Sequence, residues 1–433
     1  MRYRIPCMFT HAALLVALCT HVPPMGAYRF AGRTVYVGTD AEPPDHPRIQ
    51  YYDSKTRRIG TLDYVSGRTY RTDESPRLKF TLAVPASPVC EKPLVIGAGE
   101  HRLGASFWSA PSAQHRSTVV LIQGADDSTR QMGFLISYFV AHGLNVVTYD
   151  QRGTGNSLGN WRYTGPNSQA DDILAILQAV KTDPAVDDHR IGAWAASNGG
   201  WVAPIVATRF PLAFVILKSA PSETIVDNVL YEVEADLREG GRFSSKQVSD
   251  AMAFERTMFQ ALETNSNWNV AARALKAAKA QPWFSDMRIP PGMTTPPAPP
   301  MLAALRASLV YDPTATLEQL RTPTLALFGA LDKDVDAADS AARFRKAFKH
   351  SGMADLTILS FRQAGHLVVA STTGYEESAV VPGPLCRLPR SDDSLARCAW
   401  FYDPMTGIAR FEFAAFPGES LAVDEVLPAR SLS

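Results

Sequence analysis

Residues 190–208 read RIGAWAASNGGWVAPIVAT, and the reading of this stretch decides the fold. Arg190–Ala195 is apolar enough for a strand covered on both faces, and Asn198–Thr208 reads as a helix. Between them stands Ser197, flanked by Ala195, Ala196, Gly199 and Gly200. A turn this tight between strand and helix tolerates only small neighbours and thrusts the serine hydroxyl out at the sheet edge. The pattern is G-x-S-x-G with Ala195 in place of the first glycine. A serine that merely caps a helix N-terminus gives the same local pattern. The rest of the chain has to decide between the two.

Outward from this turn, short apolar runs alternate with helical stretches. Leu94–Ile96 and Ala105–Trp108 are opening strands, and Thr118–Ile122 (TVVLI) is a buried one. A helix is expected over Gln131–His142, a strand over Leu144–Tyr149 (LNVVTY) and a helix over Asp171–Lys181. Ala213–Leu217 (AFVIL) is the next strand. This alternation predicts an α/β protein with a mostly parallel central sheet and helices on both faces.

From 223 to about 310 the alternation stops. Ile225, Val229, Val233 and Leu237 recur every four residues, and Gln247–Leu262 and Val270–Ala278 continue in the same helical manner. Pro290 to Pro300 is too rich in proline for regular structure. The strand pattern resumes at Thr324–Phe328 (TLALF), followed by a helix over Ala337–Lys349 and a strand at Leu356–Leu359. A helical insertion of this kind is expected to cap the carboxyl edge of the sheet, where such sheets bind ligands.

The expected organisation is then a leader over 1–27, a small β-rich region over 28–92 and the first part of the core over 93–222. A helical cap over 223–312, the second part of the core over 313–375 and an extension over 376–433 follow. The leader rests on Arg2 and Arg4, the short apolar run Ala12–Cys19 (AALLVALC) and the breakers Pro23 and Pro24. It predicts an exported protein, periplasmic or secreted. Cys19 admits a second reading as a lipidated first residue, against which Leu18 is too large a neighbour. No other stretch is long and apolar enough for a membrane helix. Of the five cysteines, Cys90, Cys386 and Cys398 fall outside the leader. In an oxidising compartment Cys386 and Cys398 can close a small loop with Cys90 left over, or all three can be thiols.

Lysine plus arginine and aspartate plus glutamate both number 43. Nucleic acid and anionic membrane surfaces select a basic excess, so neither is expected as the main partner. No grouping of cysteine and histidine has zinc-ligand spacing, and neither a metal nor another cofactor is expected.

A serine hydroxyl needs a base to take its proton, and the base needs an acid to orient it. Asp332 follows the TLALF strand in Gly329-Ala330-Leu331-Asp332. His366 follows the LTILS strand (356–360) in Gly365-His366-Leu367. Ser197, Asp332 and His366 thus each sit at the carboxyl end of a strand, in the chain order serine, acid, histidine. Asp334 and Asp336 are rival acids. Gln123-Gly124-Ala125 follows the TVVLI strand, where the backbone N–H of Ala125, with that of Asn198, can stabilise an oxyanion. Asp126 and Asp127 beside it either attract a cationic substrate group or are solvated loop acids; the second reading is preferred. Trp161, Trp194, Trp201, Trp268 and Trp283 either line an apolar pocket or, as most large aromatics do, belong to the core, and none is assigned a role.

The stretch 121–157, from LIQGADDSTR to YDQRGTGNS, resembles α/β-hydrolases in which one strand ends in an H-G-S-G-P-x-D-R-like loop and the next in Y-D-x-R-G-x-G-x-S. EstD-like esterases and dienelactone-hydrolase-like and prolyl-oligopeptidase-like relatives are of this kind. With the elbow, G-x-x-D and G-H, the resemblance runs over about residues 93 to 370 apart from the insertion. It departs at Gln123, where the family usually has histidine, and at Asp126-Asp127, where it has glycine and proline. Asp150 and Arg152 are expected to pair structurally. The resemblance implies a serine hydrolase acting on a small ester or acyl substrate. A peptidase or amidase of the same fold, or an inactive secreted binding protein, are the alternatives.

Overall fold

The computed structural model describes residues 22–375, apart from 31, 41–47, 74, 76, 290–293 and 353–354, and the backbone of strands Cys398–Asp403 and Ile408–Phe413. Two large sheets organise the described residues, and strands Cys398–Asp403 and Ile408–Phe413 pair in a separate antiparallel one. The larger has eight strands in the order β15-β14-β13-β12-β10-β11-β9-β8. Its centre is β10 (Arg116–Ile122), β11 (Asn145–Tyr149), β12 (Val186–Ala196), β13 (Val215–Lys218), β14 (Thr324–Gly329) and β15 (Leu356–Phe361). These six pair in parallel throughout. β8 (Cys90–Ile96) and β9 (Leu103–Ser109) add an antiparallel edge.

The apolar runs are strands because both faces are covered. On one face α2 (Pro166–Val180), α3 (Gly199–Arg209) and α9 (Ala337–Ser351) pack Ile173, Val202 and Phe344 against Val120, Ala193 and Phe328. On the other face α1 (Phe134–Ala141) packs Phe134, Ile136 and Val140 against Val119, Leu121 and Val146. The short runs of β13 and β14 are apolar apart from Thr324 at the start of β14 and Lys218 at the end of β13, as strands covered on both faces require.

The N-terminal region forms a second, antiparallel sheet of seven strands, with β1 (Gly26–Phe30), β2 (Arg33–Asp40) and β3 (Arg48–Asp53) side by side. It lies against α1 and shares a core with it: Tyr36, Tyr52, Phe134 and Tyr138 pack in one aromatic group. Ser137 donates to the Val37 carbonyl at 2.6 Å. Gly38 passes so close to Gly133 that a Cβ there would sit 2.0 Å from the Gly133 carbonyl oxygen. Gly26 and Ala27, the last residues of the expected leader, are the first two of β1, paired with Val37 and Tyr36. The rest of that leader up to residue 21 lies outside the described residues, as does Cys386. Cys90 is disulfide-bonded, which corrects the arrangement that leaves it over.

The insertion between β13 and β14 is helical, as its periodicity predicts. It contains α4 (Ile225–Arg238), α5 (Ser245–Thr264), α6 (Trp268–Ala278), α7 (Pro299–Leu309) and α8 (Thr314–Gln319). A capping box between Ser244 and Gln247 starts α5. The cap has its own core, in which Val233, Leu237, Phe254, Met258 and Trp283 meet. It rests on the main domain at several places. Asn228 and Tyr231 on α4 reach the loop after β14. Near α7, Gly165 approaches so closely that a Cβ would lie 1.8 Å from the Ala307 carbonyl oxygen. Among the described residues no helix is long and apolar enough to cross a membrane.

Candidate active site

The elbow forms where the sequence puts it. Ser197 stands between β12 and α3 at φ 50°, a left-handed conformation costly for a residue with a side chain. Its N–H donates to the Lys218 carbonyl at 2.9 Å, and its carbonyl accepts from Gly200 N–H at 2.7 Å. The small neighbours have specific reasons. A Cβ on Gly199 would stand 2.8 Å from the Gln123 carbonyl oxygen, and one on Gly200 2.4 Å from the Ala220 Cβ. Ala195 is buried, in register with Ile122 and Leu217, and its methyl is accommodated in the core on one face of the sheet in place of the glycine.

Asp332 and His366 meet. His366 Nδ1 lies 2.9 Å from Asp332 Oδ2 and 3.0 Å from Oδ1. The Asp332 side chain is fully buried, and that of His366 is mostly so. Asp332 Oδ1 also accepts the N–H groups of Asp334 and Val335, at 2.9 and 3.0 Å. With carboxylate and backbone placed in this way, Nδ1 carries the proton and Nε2 is free to accept one. Two glycines allow the loops to touch: a Cβ on Gly329 would lie 2.2 Å from the Gly365 carbonyl oxygen. That close approach gives G-x-x-D and G-H a physical meaning.

Neither rival acid hydrogen-bonds to His366. Asp336 caps α9, accepting from Ala338 and Asp339 N–H. Asp334 comes no nearer to His366 Nδ1 than 3.7 Å. Burial pushes its carboxyl above the usual aspartate range. Asp332, Asp334 and His366 bring polar atoms within 4.8 Å of one another. The distances between Nδ1 and Asp332 are those of a shared proton.

Ser219 ties the histidine loop to the elbow. Its hydroxyl donates to the His366 carbonyl at 2.6 Å, and it follows Lys218, whose carbonyl holds Ser197. Among the described residues the Ser197 hydroxyl has no hydrogen-bond partner. Gly124 faces Ser197 directly: a Cβ on it would be 3.3 Å from the serine Cβ. The N–H groups of Ala125 and Asn198 donate to no group among the described residues, so both remain available for an anion.

Gln123 occupies the position of the family histidine and braces the loop. Its amide donates to the carbonyls of Thr129 and Tyr149, at 2.6 and 3.0 Å. Gln151 donates to the Gly124 carbonyl at 2.6 Å. The two aspartates are tied to neighbouring side chains, where the preferred reading has them simply solvated. Asp126 accepts from the N–H and hydroxyl of Ser128. Asp127 takes both ends of the Arg162 guanidinium at 2.9 Å and the Trp161 indole N–H at 2.8 Å. Those hydrogen bonds, Arg162 first, hold its carboxyl below the usual range. Trp161 therefore serves this latch, whereas Trp201 and Trp283 are buried and Trp194 and Trp268 partly so.

The expected pair of Asp150 with Arg152 is not formed. Asp150 accepts from Arg130 N–H and Asn156 N–H, both at 2.8 Å, and lies 3.5 Å from the Arg130 guanidinium. Arg152 grips Asp172 on α2 with two bonds of 2.7 and 2.5 Å. Glu223, Asn228 and Tyr231 near the acid loop carry no motif that sequence reading singles out.

Residues 113–238 match the family model Hydrolase_4, serine aminopeptidase, S33. An uncharacterized 31.7 kDa protein of Escherichia coli is 34% identical over 62 residues, 14% of this chain and 22% of that protein. The match therefore spans about a fifth of the length of this curated relative. Among solved structures, an esterase of Pyrococcus furiosus is 15% identical at a TM-score of 0.38, covering 62% of this chain and 80% of the other. The acylaminoacyl peptidase of Pyrococcus horikoshii is 14% identical at a TM-score of 0.42, covering 80% and 46% respectively. The order of the parallel strands and the tight turn between β12 and α3 give this chain the α/β-hydrolase fold, and the matched family model falls on the part of it that holds Ser197.

Proposed function

We propose that the chain hydrolyses small carboxylic esters through Ser197, His366 and Asp332. In this reading Ser197 Oγ attacks the ester carbonyl carbon while His366 Nε2 takes the hydroxyl proton. Asp332 keeps Nδ1 protonated and stabilises the imidazolium as it forms. The N–H groups of Ala125 and Asn198 hold the negative oxygen of the tetrahedral adduct. The C–O bond breaks, His366 returns its proton to the departing alkoxide, and an acyl-serine remains. Water attacks the acyl-serine by the same sequence and releases the acid.

The observation that carries the proposal is the His366–Asp332 contact, formed at the ends of β14 and β15 and fastened through Ser219 beside the elbow. Peptide or amide cleavage is the second reading, favoured by the description of the matching family as a serine aminopeptidase. The proposal extends to export: a disulfide at Cys90 supports an oxidising compartment.

A fluorophosphonate probe, followed by p-nitrophenyl esters and aminoacyl anilides, tests the reading. Wild-type protein is expected to label and to cleave esters, and Ser197→Ala to do neither. Folded wild-type protein that does not label is a binding protein instead. Anilide cleavage without ester cleavage gives the reaction to the peptidases.

A further inference from the structure

The loop that carries the triad acid is gripped from the cap. The peptide between Asp334 and Val335 is held at both ends. Its N–H, on Val335, donates to Asp332 Oδ1 at 3.0 Å. Its carbonyl, on Asp334, accepts from the Asn228 side-chain amide at 2.8 Å. A peptide whose oxygen accepts a hydrogen bond is polarised into a better donor at its nitrogen. Asn228 therefore acts through one peptide on the carboxylate that faces His366.

Asn228 is itself held. Its amide also donates to Glu223 Oε1 at 3.1 Å. Glu223 Oε2 takes the Ser222 N–H at 3.0 Å and the Ser340 hydroxyl, on α9, at 2.7 Å. The Ser222 hydroxyl donates to the Ser340 carbonyl at 3.0 Å. Glu223 and Asn228 are 3% and 8% exposed, and Ser340 is fully buried. A junction that only had to pack would be cheaper with apolar side chains, because an ionised carboxylate loses its hydration there. Here the buried carboxylate fixes the direction of one amide, and that amide points at the acid loop. A second tie runs alongside, the Tyr231 hydroxyl donating to the Asp332 carbonyl at 2.9 Å.

We propose that Asn228, oriented by Glu223, is a positioning residue for the Asp332–His366 pair, so that cap helix α4 helps to set the strength of the catalytic base. The proposal rests on the triad reading above, and its test separates the two. The variants are Asn228→Ala and Glu223→Gln, with Asn228→Ser, which retains a short donor, as the conservative variant.

Two readouts are used. Turnover of a p-nitrophenyl ester is measured per fluorophosphonate-labelled site. The His366 ring is followed by nitrogen NMR against pH in the folded protein, a measurement that needs no activity. Losing one such bond is expected to lower kcat about five- to tenfold with KM unchanged. A less well aligned carboxylate supports the imidazolium less, so the midpoint of the His366 ring moves to lower pH, by about half a unit. Glu223→Gln is expected to move both readouts in the same direction, and Asn228→Ser to recover part of each. Variants that lose only thermal stability, with turnover per site and ring titration as in wild type, overturn the proposal. Wild-type protein that neither labels nor turns over overturns the triad reading instead, and the ring titration still decides the positioning.

Discussion

His366 Nδ1 lies 2.9 Å from Asp332 and 3.7 Å from Asp334, although the two aspartates are neighbours in one loop. Only Asp332 combines that distance with full burial and two backbone donors. Asp332→Asn is therefore expected to lower kcat by about three to four orders of magnitude, the scale of losing the acid from such a triad. Asp334→Asn should change kcat far less. Asp336→Ala should leave kcat alone and lower stability by about 1 kcal/mol, as the loss of a helix cap does. Steady-state kinetics and thermal melts of the three variants decide it. Asp334→Asn proving the worst of them would transfer the role to that residue.

Gly124 and Gly200 are both close to the elbow, and substitution should have different effects. A Cβ at Gly124 would meet the Ser197 Cβ at 3.3 Å, close enough to shift the serine by a few tenths of an ångström. Gly124→Ala is expected to fold normally and to lose on the order of tenfold in kcat through misplacement of the nucleophile. A Cβ at Gly200 would stand 2.4 Å from the Ala220 Cβ and 2.8 Å from its Cα, where backbone would have to move. Gly200→Ala should cost about 1–3 kcal/mol of stability, as overpacking does. Full activity in Gly124→Ala would contradict the close facing of that loop and Ser197.

The parallel strands could be read from sequence because burial on both faces leaves unbroken apolar runs such as Thr118–Ile122 and Thr324–Phe328. The order of Ser197, Asp332 and His366 followed, since each ends such a run. Arg152 shows where this reading stops. Strand β11 ends at Tyr149, so the spacing of Asp150 and Arg152 in the turn beyond it carries no information about which way each points. Their partners, Arg130 and Asp172, come from other segments. The docking of the N-terminal sheet on α1 depends on a glycine-to-glycine approach, Gly38 to Gly133, that no local pattern announces. Glu223 and Asn228 were missed for the same reason: their contacts join the start of the cap to α9 and the acid loop.

The Arg152–Asp172 pair sets up a stability test with no catalytic component. Asp172 is 8% exposed, and burial raises its carboxyl pKa against the opposing pull of Arg152. Arg152→Met strands that carboxylate and should cost about 3–5 kcal/mol. In this variant stability should fall as pH rises, because the buried acid is tolerated protonated and resisted ionised. Adding Asp172→Leu should restore much of the loss. Melting temperatures at two pH values follow both effects. A loss independent of pH would mean that Arg152 contributes packing only.

Glu255 provides the clearest pH signature. It sits on α5 in the cap core, fully buried, and neither carboxylate oxygen has a well-formed hydrogen bond among the described residues, the Arg288 backbone N–H being the nearest influence on it. The Trp283 indole N–H in the same core also lacks one. Burial raises the Glu255 pKa from the ordinary 4.5 to about 7, against a partial pull from Arg288. Between those two values the folded chain binds a proton that the unfolded chain has released. Stability therefore falls as pH rises from about 4.5 to about 7 and then levels off, where both states are ionised. Glu255→Met, close in length and apolar like neighbouring Met252 and Met258, removes the titration. Above pH 7 it should be more stable than wild type by on the order of 3 kcal/mol and so melt higher, and the advantage should shrink steadily towards pH 4.5. A difference in melting temperature that stays constant across this range would show that Glu255 is neutralised by a partner and does not titrate with folding.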